Sequence, residues 1–317
     1  MDYANADPIC FTFTMPLKTA GFTYWIFFMK KQIIAIMLLC LSLPCVCPVQ
    51  ADEDEKPLWE IGLFSGAARI PHYRGSDEYN WYVVPLPYVI YRGEIIQADR
   101  EGVKGIFFKT ESFESSLSLS GNPPVDGDND AREGMPDLDA MFEVGPSLKW
   151  HFTGDFLNQS DALYAQIALR AASSIGFDSG VDLSYLGLHA DISLSYANQS
   201  LFKNQEIGFG GKIAADFADK DLNAYFYDVE QEYERPDRPS YESDSGYAGF
   251  SLSGWAYKKL TRVLSLGFYS RWDNISGAVY EDSPLVKEKN NFTFGCALNW
   301  KIWESKRKAA SWSADVP

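Results

Sequence analysis

His189, Asp191, Ser193 and Ser195 stand at every second position of one segment. They are the residue types of a nucleophilic hydrolase, in which a histidine held by an acid activates a serine. The sequence has three histidines, His72, His151 and His189, so a histidine enzyme would have to use one of them. Spacing argues against a triad here, because residues two apart on a strand are separated by about 6.5 Å, beyond hydrogen-bond reach. Partners such as Glu143 and His151 on a neighbouring strand would be needed to complete one. Polar packing inside the fold explains the same residues, and no catalytic residue is assigned.

Asp126, Asp128 and Asp130 alternate in a turn-rich segment, a spacing that could set three carboxylates around calcium. The position where a calcium loop needs glycine is Ala131, and the twelfth position is Asp137 instead of Glu. No metal or cofactor site is therefore assigned. The segment reads as an acidic loop with Arg132 pairing locally and Gly134-Met135-Pro136 turning the chain back. Arg74 and Asp77, with Gly75 between them, read as a hydrogen-bonded loop. Arg92, Arg100 and Arg170 are placed to pair with Glu94, Asp99 or Glu143 inside a pore. Cys296 falls on an apolar face and reads as a small hydrophobe.

The elements that must position these residues are strands. From Leu186 to Tyr196, Leu186, Leu188, Ala190, Ile192, Leu194 and Tyr196 form one face, with Gly187, His189, Asp191, Ser193 and Ser195 on the other. Phe142 to Phe152, Leu163 to Ala171, Ala248 to Leu252, Leu264 to Trp272 and Phe292 to Ile302 repeat the pattern. A bilayer offers no water to backbone groups, so only helices and closed barrels span it, and alternating strands of about ten residues are the barrel signature. A soluble sandwich or lipocalin-like barrel would also alternate, with its apolar faces turned inward. Small residues on the polar face, and aromatics such as Trp150, Tyr196, Trp272, Trp300 and Trp303 near strand ends, favour the membrane.

The start of the chain agrees. Met29-Lys30-Lys31 precedes an apolar run from Ile33 to Leu43, and Val49-Gln50-Ala51 forms a small-residue cleavage pattern. Residues 29–51 read as a cleaved signal peptide and 1–28 as an upstream extension. Lys30 and Lys31 argue against a signal anchor, and the residues before Cys45 and Cys47 do not suit a lipoprotein. Cleavage after Ala51 leaves 266 of 317 residues, with Cys296 as the one cysteine. Those 266 residues hold 41 Asp and Glu against 25 Lys and Arg, which excludes nucleic acid as a partner and would repel anionic lipid. Aromatics make up 15% of the chain and the mean hydropathy is −0.21, which suits a barrel and excludes a helical membrane protein.

The expected fold is all-β: a transmembrane, antiparallel, up-and-down β-barrel over 52–303, with residues 304–317 as a periplasmic tail. Twelve strands are traced near 58–68, 81–91, 94–100, 103–109, 112–121, 139–151, 161–173, 185–197, 205–217, 246–258, 262–272 and 290–303. Ten strands is the alternative, because the third and fourth are short and Pro85, Pro87 and Pro146 imply bulges or edge irregularities. With the N-terminus in the periplasm, the short turns face that side and the long acidic loops face outward. Ala218 to Ser245 is the longest, expected to be solvated, with a strand-like piece from Tyr225 to Val229.

The runs YRGSDEY (Tyr73 to Tyr79), LPYVIYRGE (Leu86 to Glu94), ADREGVKG (Ala98 to Gly105) and GNPPVDGDNDAREGMPDLDAMFEVGPSL (Gly121 to Leu148) resemble the MipA/OmpV family of MltA-interacting outer-membrane proteins. The C-terminal half resembles it in strand pattern only. The resemblance implies an outer-membrane barrel, non-enzymatic, that acts as a scaffold between a murein transglycosylase and a murein synthase. A porin-like channel or surface adhesin is the alternative reading, and an outer-membrane lipid hydrolase a third. The chain departs from such barrels in continuing past Trp303 to Pro317. The last loop block is expected to fold over the barrel mouth.

Overall fold

The computed structural model describes residues 57–92, 96–99, 102–110, 112–125, 129–153, 161–176, 182–198 and 207–307. The signal sequence, Asp126, Asp128, Glu94, Arg100 and the tail beyond Arg307 lie outside them, as do the side chains of Arg92 and Asp99.

Twelve strands follow one another around a closed antiparallel barrel. They are β1 (Trp59–Pro71), β2 (Tyr79–Arg92), β3 (Ile96–Asp99), β4 (Gly102–Lys109), β5 (Phe113–Asn122), β6 (Ala140–Thr153), β7 (Asp161–Gly176), β8 (Asp182–Asn198), β9 (Ile207–Ala218), β10 (Gly246–Lys259), β11 (Leu264–Asn274) and β12 (Asn290–Glu304). β1 closes the ring on β12, from Glu60 opposite Glu304 to Arg69 opposite Phe294. Sequence alternation located every strand to within a few residues and gave the larger of the two strand counts.

The direction of the alternation, which the sequence left open, is resolved. Ile167, Leu169, Ile192, Leu194, Phe268, Phe292, Phe294, Leu298 and Trp300 point outward, and Ser147, Lys149, Arg170, Asp191, Ser193, Asp216 and Asp273 are buried inside. A soluble barrel would be built the other way round, so this is a fold with lipid as its outer solvent. Cys296 sits on the outward face, opposite Ala67 and Phe268.

No bulge falls at Pro85, Pro87 or Pro146, but the expected edge irregularities do appear: β2 lacks a β3 partner at Pro85 and Pro87, and the β6–β7 pairing skips Gly145 and Pro146 between Val144–Ala171 and Ser147–Ala168. Pro85 pairs with Ser65 and Pro87 with Leu63 in an unbroken β1–β2 register, and Pro146 sits opposite Leu117. β2 meets β3 only at Tyr91 and Arg92, so at Pro85 and Pro87 it is an edge on that side, where a missing N–H costs no ladder bond. The register shifts fall elsewhere, at Ile61/Gly62, Ile106/Phe108, His151/Thr153, Ala172/Ser173 and Tyr247/Gly249.

The acidic segment after β9 is not a solvated string. Lys220–Tyr227 forms an α-helix, α1, where a strand-like piece was expected, and Gln231–Tyr233 a 3-10 turn. Asp219 caps α1 by accepting from the Leu222 amide at 3.0 Å, while its other carboxylate oxygen takes the Leu188 amide at 2.8 Å. Leu222, Tyr227 and Val229 are buried, whereas Asp221 and Glu230 are exposed. The expected hairpin survives only as the nested isolated bridges Val229 to Tyr241 and Arg235 to Arg238.

Candidate functional site

Four loops at the end of the barrel remote from the chain termini interlock as a cap, built from residues 72–78, 123–125 with 129–139, 219–245 and 275–289. Its centre is aromatic. Tyr73, Tyr227, Ile275 and Tyr280 pack with Val125 and Leu138, and the Tyr227 and Tyr280 rings stack 3.6 Å apart. Polar bonds lock each loop to another: Tyr73 Oη donates to the Leu285 carbonyl at 2.8 Å, and Tyr227 Oη to the Arg74 carbonyl at 2.9 Å. Arg132 Nη1 reaches the Phe226 carbonyl and Arg238 Nη1 the Ala131 carbonyl, both at 2.9 Å. Burial raises the phenol pKa values of Tyr73, Tyr225, Tyr227 and Tyr280 above the ordinary tyrosine range, so all four stay protonated in the closed cap.

Gly75 makes the first loop fit. At φ 99° it occupies the left-handed region, its amide donates to Asn291 Oδ1 at 2.6 Å, and its carbonyl accepts from the Lys287 and Glu288 amides. Arg74 is thereby turned downward into the barrel. It does not pair with Asp77, as the loop reading had it. Its Nη2 lies 2.9 Å from Asp216 Oδ2 and 2.8 Å from Asp273 Oδ1.

Below Arg74 the lumen carries a continuous chain of charge. Asp273 is held a second time by Arg271, at 2.7 Å. Asp216 Oδ1 faces His189 Nε2 at 3.3 Å, and His189 Nδ1 faces Glu143 Oε2 at 2.8 Å. Glu143 in turn sits 3.4 Å from Arg170 Nε, an ion pair without a hydrogen bond, while the other end of that guanidinium bonds Asp191. Lys212 Nζ completes the chain, 3.3 Å from Asp191 Oδ1. Each of Glu143, Asp191, Asp216 and Asp273 has at least two neighbours among Arg74, Arg170, His189, Lys212 and Arg271, which is how buried charge is tolerated.

Of the sequence candidates, Arg170 pairs with Glu143, one of the three acids offered to it, and also with Asp191, which was not among them. His189 does not act as the base of a triad in this arrangement. Both its ring nitrogens face carboxylate oxygens, which only accept, so satisfying both requires both ring protons and leaves no nitrogen to activate a serine. Asp191 is occupied by Arg170 and Lys212, and the hydroxyl of Ser193 has no hydrogen-bond partner. Asp130 opens a 3-10 turn and donates its amide to Glu78 Oε1 at 2.7 Å. Asp216, Arg271 and Asp273 were missed by sequence reading, although Asp216 and Arg271 sit on the polar side of traced strands and Asp273 one residue past the traced end of β11.

The arrangement is thus a capped barrel in which Arg74 joins the cap to the luminal charges, alongside the bonds of Gly75 to Asn291, Asp219 to Leu188 and Tyr280 to Ala248. The family model described as MltA-interacting protein MipA matches residues 61–302. No curated protein matches the sequence. Among solved structures, the NanC porin is 9% identical over 76% of this chain and all of its own, with a TM-score of 0.35. An outer membrane channel from Pseudomonas putida F1 is 12% identical over 81% of this chain and all of its own, at 0.38. A FadL homologue of Pseudomonas aeruginosa is 7% identical over 76% of this chain and 89% of its own, at 0.30.

Proposed function

Since the chain belongs to the MltA-interacting protein MipA family, and so is an outer-membrane barrel, we propose that it serves there as a non-enzymatic anchor for a murein transglycosylase and a murein synthase. A cleaved signal peptide ahead of residue 52 would deliver it, with both termini and the short turns in the periplasm. The observation that carries this reading is the cap. Four interlocked loops over one mouth leave the terminal end as the face through which the barrel meets other molecules. The family description supplies the partner, and the synthase follows from the scaffold role that the resemblance implies.

The lumen favours a porin-like channel as the second reading, because its ordered charges are of the kind that select ions, but conduction then requires the cap to move. The His189 geometry speaks against a lipid hydrolase. Crosslinking in intact cells, followed by affinity purification from the outer-membrane fraction and mass spectrometry, separates the first two. Recovery of a murein transglycosylase supports the anchor. Recovery of the barrel alone overturns it in favour of the channel.

A further inference from the structure

The mouth of the barrel at its terminal end, opposite the cap, holds a cleft on the inner wall. Its floor is β12, where Asn299 and Lys301 face inward and the alternating Leu298 and Trp300 face out. Tyr88 and Glu60 wall it on the β1–β2 side. The turn from β10 to β11 closes the other side, with Arg262 and the buried Ser265.

The frame of this cleft is fixed. Thr261 Oγ1 accepts the amides of Val263 and Leu264 at 3.2 and 3.0 Å, which closes the turn on itself. The Lys301 amide donates to the Val263 carbonyl at 2.8 Å and ties the turn to the last strand. Across the cleft, the half-buried Tyr88 ring lies over Gly62, where a Cβ would come within 2.5 Å of it. The missing side chain lets the ring settle against the backbone of the wall and present its remaining surface to the cleft.

The chemistry of the lining names the class of ligand. Charge is present but already paired: Lys301 Nζ holds Glu304 at 2.7 Å, and Glu60 has partners of its own. Such groups offer little to a ligand with net charge, yet their remaining lone pairs and N–H bonds keep fixed directions and suit hydroxyls, which both donate and accept. A tyrosine ring beside carboxylate, amide, guanidinium and hydroxyl groups gives an apolar surface to the C–H side of a pyranose and partners to its hydroxyl rim. We propose that this cleft binds a sugar unit of a periplasmic saccharide. The compartment rests on the orientation proposed above, whereas the ligand class rests on the lining alone, so the site and the capture of a murein enzyme can fail separately.

The test is isothermal titration of the full chain, purified in a detergent without a sugar head, with chitobiose, maltose and inorganic phosphate. The saccharides should bind and phosphate should not. Chitobiose bound above maltose assigns the ligand to the amino-sugar strands of the cell wall, and equal binding assigns it to saccharides in general. Binding of neither saccharide overturns the proposal, as does phosphate binding more tightly than both. Tyr88→Ser removes the ring and should weaken saccharide binding about tenfold, whereas Tyr88→Phe keeps the ring and should stay within about twofold. Glu60→Gln, which keeps the shape of the wall and removes a charged acceptor, should also weaken it about tenfold. Unchanged affinity in Tyr88→Ser and Glu60→Gln overturns the site.

Discussion

Replacing Arg74 by glutamine should loosen the cap while leaving the barrel wall intact. Its guanidinium bridges Asp216 and Asp273, which are 5% and 3% exposed, so the substitution strands two buried carboxylates at once. Removing one partner of a buried ion pair costs about 3–5 kcal/mol. Here each carboxylate keeps a second cationic neighbour, His189 for Asp216 and Arg271 for Asp273, which places the cost near the lower bound, about 3 kcal/mol. That corresponds to roughly a 100-fold shift toward the open cap. Amide hydrogen exchange reads it directly. The amides of Asn223, Asp228 and Tyr241, bonded within the cap to Asp219, Ala224 and Val229, should lose protection by about that factor, whereas β7 and β8 amides should not. A second substitution, Asp216→Asn, should be less costly in the Arg74→Gln background than alone, since the ion pair with Arg74 that it would break is already gone. Unchanged protection in the 219–245 loop, or protection lost equally from cap and strands, would refute the tether.

Alkaline pH should open the same cap. Its four buried phenols keep their protons in the folded state above the ordinary tyrosine value of about 10. Raised folded pKa values contribute stability in full below that value and lose it as pH climbs further, because the open form then sheds protons that the closed form holds. Phenolate absorbance should lag behind that of free tyrosine and rise together with loss of cap protection; four phenols ionising near their ordinary value with the cap intact would contradict this. Asp219→Ala removes the α1 cap bond and the bond to Leu188, costing about 1–2 kcal/mol, and should expose the 219–245 loop to proteases. Ile192→Lys, on the outward face of β8 and 53% exposed, should cost about 2–4 kcal/mol in denaturant unfolding from lipid vesicles. The same change at Glu232, an exposed cap position, should stay within about 0.5 kcal/mol.

The strands were legible because a period of two is a local property: Leu186 to Tyr196 declares its two faces without reference to any other segment. Which face meets lipid was not local, and only the closed ring shows it. In the 219–245 loop the count of carboxylates masked the buried side chains Leu222, Tyr227 and Val229. The signal was present nonetheless, in Asp219 three residues ahead of Leu222 as an N-cap and an aromatic run from Tyr225 to Tyr227. Arg74 was picked out, but its partners lie 142 and 199 positions away along the chain, and no spacing within YRGSDEY could name them. Arg170 and Glu143 are both legible as luminal ion-pairing residues, but that they take each other is not, because the choice of partner depends on the register of β6 and β7.

The pairing of β1 with β12 sets a timetable for assembly. Leu58, just ahead of the first strand, donates its amide to Ser305 Oγ, 247 residues later, and the Ser305 amide returns to the Trp59 carbonyl. Until the far end of the chain is delivered, β1 presents a bare row of donors and acceptors, an adhesive seam on a sheet that cannot yet close. Cutting the chain short would therefore yield an unsealed ribbon in place of a narrower barrel. The joining of the two ends, which spans the longest loop in the molecule, is the natural slow step of its insertion.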